Sequence, residues 1–297
     1  MRLHRLALLA FLLLGVQAPM SRAQEVKLAT WNIAWLTLRP LGDPDLPRSL
    51  QPRSQADLDL LARYARQLDA DVIALQEVDG PEAAARVIDP RAYAFFFARE
   101  NDVQRTGFAV RRAALRATQN EDLAALDLRA NARRSLRRGT DITVHAASGG
   151  APLRLLSIHL NAGCNSGPLD RADGECETLA RQSEILAGWI AARRREGVAF
   201  AVMGDFNRRM SGPSDDMLRA LAGPGTTLVR TTEGASDPCW AGPRGPRPFI
   251  DHILLGGGAE RLWARDSLRV LAYAEREASY RDRLSDHCPV SIRLRLP

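Results

Sequence analysis

Lysine is almost missing from this 297-residue chain: of its 41 basic residues only Lys27 is a lysine. No glycine-rich phosphate loop ending in Lys is present, and Gly256-Gly257-Gly258 reads as a turn. Cysteine is scarce as well. Four residues are too few for the main scaffold but enough for one or two staples. There is no Cys-x-x-Cys and no His-x-x-x-His, so a zinc site is a poor fit. The absence of a G-x-S-x-G elbow argues against a serine hydrolase. No apolar run approaches the roughly 20 residues that cross a bilayer.

The composition is otherwise that of a globular protein. Hydrophobic residues make up 45% and charged residues 26%, which excludes a disordered, collagenous or fibrous chain. Residues 1–23 carry Arg2 and Arg5, then an uncharged stretch over 6–16, then the small residues Ser21 and Ala23. This pattern predicts a secretory signal peptide cleaved near Ala23, with residues 24–297 as one secreted or periplasmic domain. The segment holds three arginines and no acid, so its removal lowers the formal charge from +6 to +3. A mildly basic chain is weak evidence for a nucleic-acid partner. The abundance of arginine reads more simply as compositional bias, since alanine is abundant too.

Three stretches, 39–52, 163–176 and 237–248, are rich in Pro, Gly and Asp and read as loops. Strands are expected over 27–36, 72–75, 108–110, 141–146, 153–160, 198–203, 249–255 and 290–296. Ser54 is a plausible N-cap for a helix burying Leu58, Leu61, Ala65 and Leu68. A second helix is expected over 178–195. Strands dominate without a strict βαβ rhythm, which suggests layered packing of sheet on sheet and helix on sheet.

Most of these strands end in polar groups that a core strand does not need. Glu77 ends one, His159 and Asn161 another, and Asp205 and Asn207 follow a third. Asp251 and His252 lie within a fourth, Asp286 and His287 precede the last, and Asn32 lies in the first. Buried acids, amides and imidazoles are costly unless paired or metal-bound. Their recurrence suggests that the strand ends converge on one site. Carboxylate and amide oxygens suit a hard cation such as Mg²⁺, and imidazoles suit proton transfer or charge neutralisation. Alternation turns His252 away from Asp251, so His252 reads as a packing residue.

The segments Thr30-Trp31-Asn32-Ile33, Leu75-Gln76-Glu77-Val78, Ser157-Ile158-His159-Leu160, Gly204-Asp205-Phe206-Asn207, Ile250-Asp251-His252-Ile253 and Ser285-Asp286-His287-Cys288-Pro289 occur in one order. That order resembles the endonuclease/exonuclease/phosphatase superfamily, which includes deoxyribonuclease I, abasic-site endonucleases, neutral sphingomyelinases and inositol polyphosphate 5-phosphatases. The resemblance implies a four-layer α/β sandwich with two central mixed β-sheets flanked by helices. It also implies phosphoester hydrolysis by a metal-activated water, with Mg²⁺ as the metal and Mn²⁺ or Ca²⁺ as alternatives. It assigns metal ligation to Asn32, Glu77 and Asp286. Asp205 would orient the attacking water, Asn207 would donate to the substrate phosphate, and His287 would contact that phosphate with Asp251 as its orienting carboxylate. His159 would be the second histidine of the deoxyribonuclease-like branch. Arg105 and Arg111, flanking Gly107-Phe108-Ala109-Val110, and Asn161 would bind substrate.

Departures narrow the substrate. No acidic residue follows Asn32, where Ile33-Ala34-Trp35-Leu36 stands, and Arg208-Arg209-Met210 follows Asn207. Both features depart from the abasic-site enzymes. The expected activity is an exported, monomeric, Mg²⁺-dependent nuclease of low sequence specificity. Scattered arginines with no aromatic platform suit backbone phosphates better than bases. A phospholipid head-group phosphodiesterase is the alternative, although residues 93–97 are the only aromatic stretch that suggests membrane docking. A silent binding module on this fold would have lost a site residue, and every position is filled. In an oxidising compartment the four cysteines can pair. Cys164 and Cys176 bracket the loop after His159 and Asn161 and are expected to join, which leaves Cys239 for Cys288. The sequence alone admits three connectivities.

Overall fold

The computed structural model describes residues 24–296 except 131, 133, 134, 148, 225, 243 and 244. The expected signal peptide lies outside the described residues. Among them, no helix is long and apolar enough to cross a membrane.

The first half of the chain forms β1 (Gln24–Leu36), α1 (Gln55–Leu68), β2 (Val72–Val78), α2 (Gly80–Ala84), β3 (Tyr93–Phe97), β4 (Arg105–Arg111), β5 (Leu115–Gln119), β6 (Thr140–Ala146) and β7 (Leu153–His159). The second half forms α3 (Gly174–Arg195), β8 (Ala199–Asp205), α4 (Asp216–Ala222), β9 (Val229–Arg230), β10 (Asp237–Gly242), β11 (Gly245–Arg247), β12 (Asp251–Gly256), α5 (Ala259–Leu262), β13 (Arg269–Val270), α6 (Ser279–Arg283) and β14 (Val290–Leu296). Two six-stranded mixed sheets result, ordered β13-β14-β1-β2-β4-β3 and β5-β6-β7-β8-β12-β9. A separate β10-β11 hairpin occupies most of the stretch expected to be a loop over 237–248.

Three apolar cores separate four layers. One lies between α1 and the first sheet, one between the sheets, and one between the second sheet and α3 with α4. The alternation of the strands decides which residue enters which core. In β1, Ala29, Trp31 and Ile33 enter the α1 core, while Val26 and Leu28 face the other sheet. In β8, Phe200 and Val202 enter the α3 core, while Ala201 and Met203 face the first sheet. The four-layer α/β sandwich implied by the motifs is the observed fold.

Local signals explain the boundaries. Ser54 caps α1 in a capping box, receiving Asp57 N–H while the Asp57 side chain accepts the Ser54 N–H. Asp173 caps α3 through Cys176 N–H, so this helix starts at Gly174, four residues before its expected start. The aromatic stretch 93–97 is an edge strand paired with β4, with Tyr93 and Phe97 buried, and forms no exposed docking hairpin. Both disulfides take the expected pairing: Cys164–Cys176 with Cα atoms 5.0 Å apart and Cys239–Cys288 at 5.6 Å.

Candidate active site

The face between the two sheets changes character along its length. It is apolar through Leu28, Val72, Ala74, Leu155 and Met203. It then becomes a polar ladder. Thr30 Oγ1 donates to Gln76 Oε1 (3.1 Å), and Gln76 Nε2 donates across to Ser157 Oγ (3.0 Å). One step further, Asn32 Nδ2 bridges the sheets by donating to Glu77 Oε1 (3.0 Å) and Asp205 Oδ2 (3.2 Å). The site is thus the polar end of the inter-sheet core.

Register places the second sheet's contribution. His159 is level with Asp205 across the parallel β7–β8 pair, and Asp251 is level with Asp205 across the antiparallel β8–β12 pair. Positions of one parity line one face, so Asp251 shares the inter-sheet face with Ile253 and Leu255, and His252 turns outward. His252 is fully buried against Phe206. Its ring meets Thr232 Oγ1 (2.6 Å) and the Arg208 carbonyl (2.9 Å). Burial holds its pKa down at about 3, as befits a packing histidine.

Backbone strain re-aims several groups. Glu77 (φ 57°) and Asn207 (φ 50°) adopt the left-handed region, as do the adjacent Ala34 (φ 40°) and Trp35 (φ 57°). Such conformations are costly for residues with side chains and cluster at functional sites. At Glu77 the turn brings the carboxylate beside Asn32 and Trp35. Asn207 N–H donates to Asp205 Oδ1 (2.8 Å), and its amide holds the Leu160 carbonyl (2.9 Å).

The titrating groups differ sharply. Burial pushes Asp205 up to about 7; His287 opposes this and Asp251 adds to it. Burial, then Arg137 and His287, push His159 well below the ordinary histidine range, so it is neutral. Burial would lower His287 too. Its Nδ1–H donates to Asp251 Oδ2 (2.7 Å), and Asp251 and Asp205 together hold its pKa well above the usual value. Asp205 Oδ2 lies 3.7 Å from Nε2 of both histidines.

The residues fit a divalent cation. Asp205, Asp251 and His287 offer ligand atoms within 4.8 Å of one another. A cation there would have to displace the proton that the two aspartates hold on His287, so this triad is the weaker seat. Glu77 is better placed: among the described residues no lysine or arginine pairs with it, and its nearest basic group is neutral His159 at 3.7 Å. Its carboxylate is held by neutral N–H donors alone, which leaves its charge to be met by a cation. Asn32 Oδ1 accepts Ala34 N–H (2.9 Å) and keeps a second lone pair. Asp286 is 40% exposed, with Oδ1 3.8 Å from His287 Nε2 and Oδ2 3.2 Å from Arg281.

Three expected substrate contacts are corrected. Arg111 stands at the far end of β4, paired with Asp69 and Asp71, because β4 runs antiparallel to β2. Arg105 stands at the site end but is held 3.7 Å from Asp79. Asn161 turns toward the start of α3, its amide bonded to Glu175 Oε2 (2.6 Å). Three site residues lay outside every motif. Gln104 donates to Glu77 Oε2 (2.5 Å), Arg137 Nη2 lies 3.4 Å from His159 Nε2, and burial pushes Asp237 up to about 6 close to Asp251 and His287. Only Gln104, just before β4, had a positional signal.

Comparison with known proteins agrees with the fold. The described structure is similar to truncated TDP2 of Caenorhabditis elegans (16% identity, TM-score 0.56, covering 91% of this chain and 97% of that one). It is similar to the human Nocturnin catalytic domain with bound sulfate (14%, 0.58, 92% and 95%). It is also similar to D. rerio TDP2 complexed with single-strand DNA product (14%, 0.52, 91% and 98%). At these identities the likeness shows the fold. No curated protein sequence matches the chain significantly. The sequence profile of the Endonuclease/Exonuclease/phosphatase family, whose members hydrolyse phosphoester bonds and depend on a divalent metal, matches residues 29–287. The chain belongs to that family.

Proposed function

We propose that this protein is an exported, Mg²⁺-dependent phosphodiesterase acting as a nuclease of low sequence specificity. The observation that carries the reading is Asp205, buried and pushed up to about 7, set between a neutral and a protonated histidine. A general base works best with a pKa near the working pH. Asp205 would take the proton of the attacking water, and Asn207 N–H keeps its other oxygen in place. His287, fixed by Asp251, would donate to the phosphate as charge builds on its oxygens. Glu77, steered by Asn32, Trp35 and Gln104, would hold the cation. A hard cation bound there supplies charge neutralisation at the non-bridging oxygens.

Nucleic acid is favoured as substrate because a structure of the same fold carries a single-strand DNA product. One observation favours a phospholipid head group instead. Leu38 and Leu41, 46% and 70% exposed, sit on the loop beside the site. The same loop borders a groove of 1610 Å³ that Trp35 also lines. The deciding experiment incubates the mature protein with plasmid DNA, RNA, sphingomyelin vesicles and a phosphomonoester, each with Mg²⁺, Mn²⁺, Ca²⁺ or chelator. DNA cleavage that needs metal and weakens with salt supports the nuclease. Intact nucleic acid with hydrolysed sphingomyelin replaces it with the lipid reading.

A further inference from the structure

Arg53 follows the loop over 39–52 and precedes Ser54, the cap of α1. Its guanidinium joins two segments that are far apart in the chain. At the end of β1 it holds the carbonyls of Ile33 (Nη2, 2.9 Å), Ala34 (Nη2, 2.7 Å) and Trp35 (Nη1, 3.1 Å). At the end of α6 it holds those of Arg283 (Nε, 3.0 Å) and Leu284 (Nη2, 2.7 Å). In a regular strand successive carbonyls point to opposite edges, so one side chain could not reach three in a row. Here the left-handed Ala34 and Trp35 turn three toward one point. Carbonyl dipoles gathered in this way repel one another unless a cation sits among them. Among the described residues no carboxylate pairs with Arg53, and nearby Asp57 is taken by Arg283 (2.7 Å). The guanidinium is spent on backbone alone.

Each of the two segments carries part of the site. Ala34 N–H donates to Asn32 Oδ1 (2.9 Å) and Trp35 N–H to Glu77 Oε2 (3.2 Å). The strained turn that Arg53 grips therefore aims the amide and the carboxylate of the proposed cation seat. Strained turns persist only where the surroundings over-determine them. On the other side, Leu284 leads directly into Ser285, Asp286 and His287. Ser285 Oγ donates to the Asn32 carbonyl (2.7 Å) and accepts His287 N–H (3.0 Å), a second tie between the same segments.

We propose that Arg53 is a positioning residue that fixes the Asn32–Glu77 side of the site against the Asp286–His287 side by gripping the backbone of both. The proposal rests on the metal-dependent phosphodiesterase reading and adds a residue that touches neither cation nor phosphate. The rival is a role by charge alone. Burial lowers the pKa of Arg53, and Tyr273, Asp57, Glu77 and Asp286 oppose that through space. A positive charge this close repels a cation bound at Glu77. If charge were all that Arg53 supplied, its removal would tighten metal binding. Positioning predicts the opposite sign.

Mn²⁺ binding, followed by electron paramagnetic resonance without substrate, separates the two. Arg53→Met binds Mn²⁺ about 10–100-fold more weakly, the loss typical of removing a group that orients a metal ligand. With bis(4-nitrophenyl) phosphate its kcat falls by a similar factor, and half-saturating Mg²⁺ rises. Arg53→Lys recovers only part, because one ammonium lacks the planar fork that spans both segments. Both variants stay folded at 25 °C, since α1 keeps its capping box and Asp57 still holds Arg283. Leu186→Ala, which opens a cavity in the α3 core, is the control for lost stability and keeps the parent's Mn²⁺ affinity and kcat. Mn²⁺ affinity in Arg53→Met equal to or tighter than the parent's overturns the proposal. So does an Arg53→Lys protein equal to the parent throughout, or a Leu186→Ala protein impaired as much as Arg53→Met. Loss of fold in both Arg53 variants overturns it as well, by making Arg53 a residue of the fold. A parent protein that hydrolyses no phosphoester refutes the phosphodiesterase reading, while Mn²⁺ binding still judges Arg53.

Discussion

His159 and His287 lie at the same distance from one aspartate, yet burial keeps His159 neutral while His287, with a carboxylate on its second nitrogen, is protonated. Glu77 and His287 should therefore fail differently. In Glu77→Gln the side chain keeps its shape but loses the charge that suits a cation. Both Glu77 oxygens accept N–H donors, so an amide nitrogen must face at least one of them. Activity should fall steeply at low Mg²⁺ and recover only partly at high Mg²⁺. His287→Ala should keep the metal dependence and lose about 10²–10³ in kcat. Titrating kcat against Mg²⁺ separates the two, and a His287→Ala enzyme restored by excess Mg²⁺ would overturn the assignment. Glu100 offers a second test, away from the chemistry. Its side chain is 6% exposed, Oε1 has no partner, and Arg138 is 4.0 Å away. Burial raises its pKa from 4.5 to about 7. Between those values the unfolded chain has lost the proton and the folded chain keeps it, so stability falls as pH rises. The loss is on the order of 3 kcal/mol by pH 7. Glu100→Gln should therefore melt higher than the parent at pH 8 and about equally at pH 4.5. Parallel melting curves at both values would count against this.

Along each strand, parity links the elements to the site. The same alternation that sends Ala201 and Met203 between the sheets also points Asp205 there, and it does so for Asp251 after Ile253 and Leu255. This is why the core strands and the outward turn of His252 were legible in the sequence, whereas the four layers were implied by the resemblance to the family. Short edge strands such as β5, β9 and β13 were not, because they have too few apolar residues to show a period. The hairpin of β10 and β11 was hidden by its Pro and Gly content. At the site, the motif residues could be read because each lies in or directly beside a core strand. Arg137 and Asp237 could not, since coil and hairpin brought them in without a pattern. Arg105, Arg111 and Asn161 misled because sequence gives proximity along a strand but not the acid that claims each side chain. One glycine tests the element scale. Gly204 has φ 146°, and a Cβ there would lie against the Ile158 carbonyl oxygen, on backbone that cannot move aside. Gly204→Ala should cost at least about 3 kcal/mol, combining overpacking with backbone strain. A urea midpoint close to the parent's would show that β7 and β8 have room to separate.

Across the whole molecule, what holds the fold and what holds the site are different. Three apolar cores join the four layers, and each disulfide is buried at the edge of one outer core, so that neither ties one sheet to the other. Both disulfides lie at the site end. Cys164–Cys176 fastens the loop after β7 to the first turn of α3. Cys239–Cys288 fastens β10 to the residue after His287. On the β10 side of that bond, Trp240 Nε1 also donates to the Ser285 carbonyl (2.7 Å), so the hairpin clamps the segment carrying Asp286 and His287 from two directions. The chain-entropy cost of opening the 49-residue loop is about 4 kcal/mol, a stabilisation that acts mostly on the unfolded state. The cores should outlast that loss, while the position of His287 should not. Cys239→Ser with Cys288→Ser should therefore keep the parent's far-UV circular dichroism at 25 °C and melt several degrees lower. Its kcat should fall well before its secondary structure is lost. Titrating the parent with a dithiol reductant should show the same order of events, activity first and then helix and strand signal. Activity and dichroism that disappear together would mean that the disulfide supports the cores after all. Full activity in the reduced protein would mean that Ser285 and Trp240 clamp His287 without it.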